Sequence, residues 1–173
     1  GQHEYWQLTL ITIGGITMIY AAFHTLFRTD LKGILAYSTI AALGILVFLI
    51  GIGTELALTA ALTFIIVHAL YKATLFLVTG TIDHEAKTRD VTQLAGLKKV
   101  LLPVAIAGFL AAFSNAGIPP FSGFIGKDLI YEAGLQSFQP VLLIVVAVIT
   151  NILLAYAGYL VGIKPFIGKL PEK

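Results

Sequence analysis

Apolar residues run almost unbroken through five stretches of the chain, approximately 6–27, 33–53, 56–81, 101–136 and 139–163. A helix needs about 20 residues to cross roughly 30 Å of hydrocarbon, and each stretch supplies at least that. In lipid every backbone N–H and C=O must be satisfied internally, which a helix achieves within one segment. The pattern therefore predicts an all-α, polytopic membrane bundle of about five transmembrane helices, with 1–173 as a single membrane domain. The one substantial polar stretch, DHEAKTRDVTQLAGLKK at 83–99, connects the third and fourth runs. Leu94 and Leu97, set among its charges, fit either a short interfacial helix or a solvated loop.

The fourth run is too long for one simple span, and NAGIPPFSG interrupts it at 115–123. Pro119 and Pro120 each lack a backbone donor, and Gly117 and Gly123 flank them, so the helix is expected to break over Gly117 to Phe121. A proline kink is the simpler outcome of the same residues. A full break at membrane depth is tolerated only against protein or a cavity, and in transporters it often marks an ion site.

Composition sharpens the membrane reading. Hydrophobic residues make up 58% of the chain and charged ones 12%, with a mean hydropathy of +0.93. Soluble domains carry about 25% charged residues, so this sequence cannot cover a water-facing exterior. Without cysteine, disulfides and thiolate metal sites are excluded. The start, GQHEYWQLTL, lacks an initiator Met and a charged leader, and is expected to lie inside a longer chain. Arg28 and Lys32 fall in the first connection, Lys87, Arg89, Lys98 and Lys99 in the third, and Lys164, Lys169 and Lys173 in the tail. All nine lie on one side of the predicted topology. Cytoplasmic connections are enriched in Lys and Arg, so segment 83–99 and the C-terminus are expected in the cytoplasm and the N-terminus outside.

The remaining two basic residues, Lys72 and Lys127, fall inside predicted spans. A lysine at the centre of a membrane helix costs about 2.5–3.5 kcal/mol on insertion scales and is by default a functional candidate. Lys72 lies about 15 Å from the cytoplasmic end of its predicted span, at 1.5 Å per residue, too deep to snorkel easily. His68 precedes it by four residues and shares its helical face, so the pair can exchange protons through nearby water. Taken alone, His68 reads equally well as a satisfied core histidine. Metal binding is not expected, because no second His stands at ligand spacing. Lys127 follows the second break proline by seven positions, in FSGFIGKDLIYEA. Asp128 and Glu132 share a face at i,i+4, while Lys127 points about 100° away, toward a channel or toward the outer interface. Asp30 and Lys32 open the second helix, where an acid suits the dipole and a capping role. His24 and Glu55 read as interfacial, and Tyr37, Ser38 and Thr39 as groups that hydrogen-bond between helices.

Four strings occur in order: DLKGILAYSTIAALG, HALYKATLFLVTG, DHEAKTRDVTQLAGL and NAGIPPFSGFIGKDLIYEA. Over roughly 6–163 they closely resemble the antiporter-like subunits shared by Mrp-type monovalent cation/proton antiporters and respiratory complex I. The DHEAKTRD connection looks most like the large subunit of the Mrp antiporter. That family has a fourteen-helix core with two inverted five-helix repeats, each containing one broken helix, and a central line of charged residues that conducts protons. This chain resembles the second repeat alone.

The resemblance implies that Lys72 and His68 lie on the central proton path, that Lys127 is the lysine of the second broken helix near the outward half-channel, and that Lys32 matches a lysine at the start of its helix. Asp128 and Glu132 are secondary candidates. It also implies a prokaryotic cell membrane, a hetero-oligomeric complex as partner, and protons and a monovalent cation, sodium foremost, as cargo. No cofactor and no nucleic acid is implied. Two departures stand out. Phe64 occupies a position where family members often have a second histidine, and Ala41 and Ala42 stand where polar residues are common, so the path is expected to be drier and to depend more on water. The alternative function is a proton-pumping subunit of a complex I-like oxidoreductase or related hydrogenase. A non-conducting scaffold is disfavoured by the two buried lysines and the break.

Overall fold

The computed structural model describes residues 2–169, with side chains from Glu4 onward, so Lys173 lies outside the described residues. Within them the chain forms six α-helices: α1 (Gln2–His24), α2 (Leu31–Ile52), α3 (Glu55–Ala86), α4 (Leu102–Ala116), α5 (Ser122–Leu135) and α6 (Pro140–Gly162). Four of them, α1, α2, α3 and α6, are long and apolar enough to cross a membrane alone. With 15 and 14 residues, α4 and α5 are about 22 and 21 Å long and cannot. End to end they make the fourth of five crossings in chain order, interrupted where the two prolines stand.

Local sequence sets the helix ends. Asp30 caps α2, its carboxylate accepting from the Gly33 N–H at 2.8 Å, and Gly53 closes that helix with φ +70°. Thr54 caps α3 through the Ala57 N–H at 3.1 Å. The third helix runs five residues beyond its expected end and takes in Asp83 and the start of the polar connection. The rest of that connection forms neither of the simple alternatives. It contains no α-helix, only a short 3-10 turn at Leu97–Lys99, yet it is not free in solvent, because Val91 and Leu94 are buried. Asp90 shapes its turn by accepting from the side chain and backbone of Thr92 at 2.7 and 2.9 Å, which holds its carboxyl below the usual carboxylate range.

The connections carrying basic residues gather at one end of the bundle. Leu31 N–H donates to Arg89 C=O at 3.0 Å, Val91 N–H to Thr29 C=O at 2.9 Å, and Gly96 N–H to Ile167 C=O at 2.8 Å. Ion pairs reinforce the junction: Lys32 to Asp83 at 3.0 Å and Arg89 to Asp30 at 2.9 Å. These pairs are roughly half exposed, so they fix geometry more than they stabilise.

The interior divides into two apolar layers. One, toward the basic end, contains Leu31, Ile34, Leu35, Tyr71, Leu75, Ile82 and Phe166; the other contains Ala41, Ala42, Phe48, Ala57, Phe64, Ile130 and Ala147. Along α2 the boundary falls between Leu35 and Ala41, and along α3 between Phe64 and Val67. Ser38 falls at that boundary, His68 lies just past it beside Val67, and Lys72 sits one turn on from His68.

Candidate functional site

Lys72 sits fourteen residues from the end of α3, about 21 Å along the helix by its rise, and is 7% exposed. Its ammonium donates to the Leu35 carbonyl at 3.2 Å and, in a short contact, to the Ser38 hydroxyl. Ser38 donates in turn to the same Leu35 carbonyl at 2.9 Å, and Thr39 joins it at 2.8 Å. All of these partners are neutral oxygens, and among the described residues no carboxylate reaches Lys72. A hydrogen bond to a charged group is worth about 1.5–3 kcal/mol, so two of them offset much of the burial cost without locking the lysine into an ion pair.

His68, half-buried, shares a hydrogen bond of 2.9 Å between its Nδ1 and the Tyr71 hydroxyl, with the direction set by the imidazole tautomer. Its ring lies between Phe64 and Tyr71, at centroid distances of 5.4 and 5.2 Å. His68 and Lys72 share a face as their spacing requires, but no hydrogen bond joins them among the described residues. Phe64, Ala41 and Ala42 are buried in the apolar layer beyond.

The helix break spans Gly117 to Phe121, as the prolines predict. Gly117 adopts φ +77°, and the chain closes α4 with two reversed hydrogen bonds, Gly117 N–H to Ser114 C=O at 3.0 Å and Ile118 N–H to Phe113 C=O at 3.1 Å. Gly117 also leaves room for Lys127, since a Cβ there would come within 2.6 Å of the lysine Cδ. The lysine stem thus folds back over the break, and Lys127 is 8% exposed. Asp128 and Glu132 are exposed on the other side of α5 and form no ion pair with Lys127 among the described residues. Gly123 is a point of close contact between α4 and α5. Its N–H donates to Ser114 Oγ at 3.2 Å, and its backbone lies so close to Ser114 C=O that no side chain fits between them.

Gly162 on α6 lies against both Gly108 of α4 and Leu75 of α3, so the break, nine residues beyond Gly108, lies deeper than Lys72 and nearer to Phe64 and Val67. Toward the break, α5 meets α3 where Gly126 lies against Phe64 and Val67. Lys32, by contrast, is exposed at the basic end in its pair with Asp83. The structure therefore gathers Lys72 and His68 with Ser38 and Tyr71, sets Lys127 against the break, and leaves Lys32, Asp128 and Glu132 at the periphery.

Several polar groups join this setting that the sequence alone did not single out. Tyr71 is three residues after His68, a helical spacing that could have flagged it. Asn115 Nδ2 donates to Leu154 C=O at 2.7 Å beside the break, and Asn151 Nδ2 to the Tyr131 hydroxyl at 2.9 Å. Thr79, wholly buried, has a hydroxyl with no hydrogen-bond partner among the described residues.

A family model described as NADH:quinone oxidoreductase/Mrp antiporter, TM matches residues 2–153. The chain belongs to that family. An antiporter subunit of Staphylococcus saprophyticus is 36% identical over 184 residues, covering 93% of this chain and 23% of that protein. A Na(+)/H(+) antiporter subunit of Bacillus subtilis is 36% identical over 143 residues, covering 76% of this chain and 18% of its own. A chain in the structure of the Mrp complex from Dietzia sp. DQ12-45-1b superposes with a TM-score of 0.89 at 30% identity, over 96% of this chain and 31% of that one. The chain thus spans less than a quarter of the length of these curated relatives. What it shares with that Mrp-complex chain is the fold of its membrane-spanning helices.

Proposed function

We propose that this chain is the proton-conducting segment of a monovalent cation/proton antiporter subunit, working within a hetero-oligomeric membrane complex and exchanging protons for sodium. The observation that carries the reading is the environment of Lys72: an amine deep in the bundle, held by a hydroxyl and a backbone carbonyl and by no acid. A lysine in a fixed ion pair keeps its proton, whereas one held by neutral oxygens can release it and take it back as its surroundings change. In this reading the Ser38 hydroxyl reorients as Lys72 changes state, accepting from the ammonium or donating to the amine. His68 and Tyr71 extend the path toward α5 through water. Lys127, turned over the break, exchanges protons at the far end.

The names of the two antiporter relatives and of the Mrp complex favour antiport over redox-driven pumping, and a test separates them. Vesicles bearing the assembled complex and an imposed pH gradient are expected to lose that gradient on addition of sodium, with no NADH or quinone present. A response that requires NADH and quinone would support the oxidoreductase alternative and reject this reading.

The orientation follows from the basic end. We assign the 83–99 connection and the residues after α6 to the cytoplasm, in a prokaryotic cell membrane, because Lys32, in the first turn of α2, and Arg28, Lys87, Arg89, Lys98, Lys99, Lys164 and Lys169, in the connections, fall at that end. The sequence contains no cysteine, so this chain contributes no background labelling. Cysteines introduced at Lys87 and Lys169 are expected to resist impermeant thiol reagents added to intact cells and to react once the membrane is opened. Ready labelling from outside would reverse the orientation.

A further inference from the structure

We infer that the hydroxyl of Thr79 carries protons between the basic end of the bundle, at Asp83, and Lys72. This inference rests on the relay role proposed for Lys72 and adds the route by which that lysine is reached. Three observations meet at Thr79. At 100° per residue, positions 68, 72, 79 and 83 of α3 fall within an arc of about 60°, so Thr79 shares one face with His68, Lys72 and Asp83. It lies between two polar contacts that α3 makes with α2, the Lys72–Ser38 hydrogen bond deep in the bundle and the Lys32–Asp83 ion pair at its end. Its hydroxyl is also uncommitted. Thr59, Thr74 and Thr81 on the same helix each donate to the carbonyl four residues back, at 2.9, 3.0 and 3.0 Å. Thr79 is 0% exposed and makes no such bond, nor any other among the described residues.

A buried hydroxyl costs free energy unless it is paired, and back-bonding to its own helix is the nearest remedy. Thr79 forgoes it, which leaves its donor and lone pairs uncommitted on the helical face between Asp83 and Lys72. The rise along α3 places it about 6 Å from the level of Asp83 and about 10 Å from that of Lys72, so the inferred route requires a short file of water in each interval. In the transfer, Thr79 Oγ takes a proton from a hydronium on the Asp83 side while its own proton passes to a water on the Lys72 side and from there to the neutral amine of Lys72. Rotation of the hydroxyl then restores the starting state, and no charge remains on the residue. Protonated Lys72 and neutral Lys72 are the end states, with Asp83 collecting protons at the surface.

The test compares Thr79→Val, which keeps the shape and removes the hydroxyl, with Thr79→Ser, which keeps the hydroxyl. Both are made in the complete antiporter complex reconstituted in vesicles, alongside Lys72→Met. Sodium-triggered proton exchange is expected to slow at least tenfold in Thr79→Val and to stay within about twofold of the parent in Thr79→Ser. The thermal midpoint of Thr79→Val is expected to be unchanged or raised, because an unpaired buried hydroxyl has been removed. Parent-like exchange in Thr79→Val beside an inactive Lys72→Met would overturn this route and leave the Lys72 relay standing. Equal slowing in the Ser and Val variants, or loss of assembly in Thr79→Val, would assign the residue to packing and equally overturn it. Parent-like exchange in Lys72→Met would remove the relay itself.

Discussion

Lys72→Met is expected to abolish cation/proton exchange while leaving the complex assembled. Methionine keeps most of the volume and removes the titratable nitrogen, so the two apolar layers can close over it. The Leu35 carbonyl keeps its helical bond and the donations from Ser38 and Thr39, so the change strands no acceptor. Loss of function without loss of protein is the signature of a relay group. Lys72→Arg should fail nearly as badly, because a guanidinium stays protonated and its planar fork does not match one hydroxyl and one carbonyl. Ser38→Ala should be milder, since water can replace a hydroxyl beside an ammonium. Complementation of a sodium-sensitive host, with complex content followed by immunoblot, checks the series. Restored growth in Lys72→Met would make the lysine structural.

Gly123→Ala is expected to be the most damaging single-methyl addition in the chain. An ideal Cβ at Gly123 would stand 2.5 Å from the Ser114 carbonyl carbon and closer still to its oxygen, and both partners are backbone that cannot rotate away. Overpacking usually costs about 1–3 kcal/mol, and a backbone collision at a break held by Gly123 N–H to Ser114 Oγ belongs at the upper end or beyond. To escape, α5 must shift away from α4 and carry Lys127 off Gly117. Gly80→Ala is the control, because a Cβ there meets nothing within 4 Å and the change improves helix propensity. Thermal unfolding in detergent should separate the two variants by several degrees, with Gly80→Ala equal to the parent or better. Equal midpoints would show that the α4–α5 junction yields.

These glycines also illustrate how far the sequence could be read. Paired prolines in an apolar run are enough to locate the break, because the missing donors act locally whatever surrounds them. The same letters cannot reveal that Gly117 serves as a slot for Lys127 or that Gly123 serves as a contact surface, since both roles depend on where α4 and α5 meet. The helical face of His68 and Lys72 was legible from spacing, and so was the separation of Asp128 and Glu132 from the face of Lys127. The partner of Lys72 was not. Ser38 is 34 residues away on another helix, and in the sequence it is one hydroxyl among several. The 83–99 connection was misjudged for a similar reason. Its charges pair with Asp30 and Lys32 near the start of α2, and Leu94 tucks into a layer with Phe166, so it is ordered by tertiary contacts that no local pattern encodes.

The most direct test of the central claim is sodium-induced collapse of a pH gradient in vesicles containing equal amounts of assembled parent or Lys72→Met complex. The parent is expected to dissipate the gradient when sodium is added and the variant to hold it. Dissipation by Lys72→Met at the parent rate would contradict the account and place the proton path elsewhere.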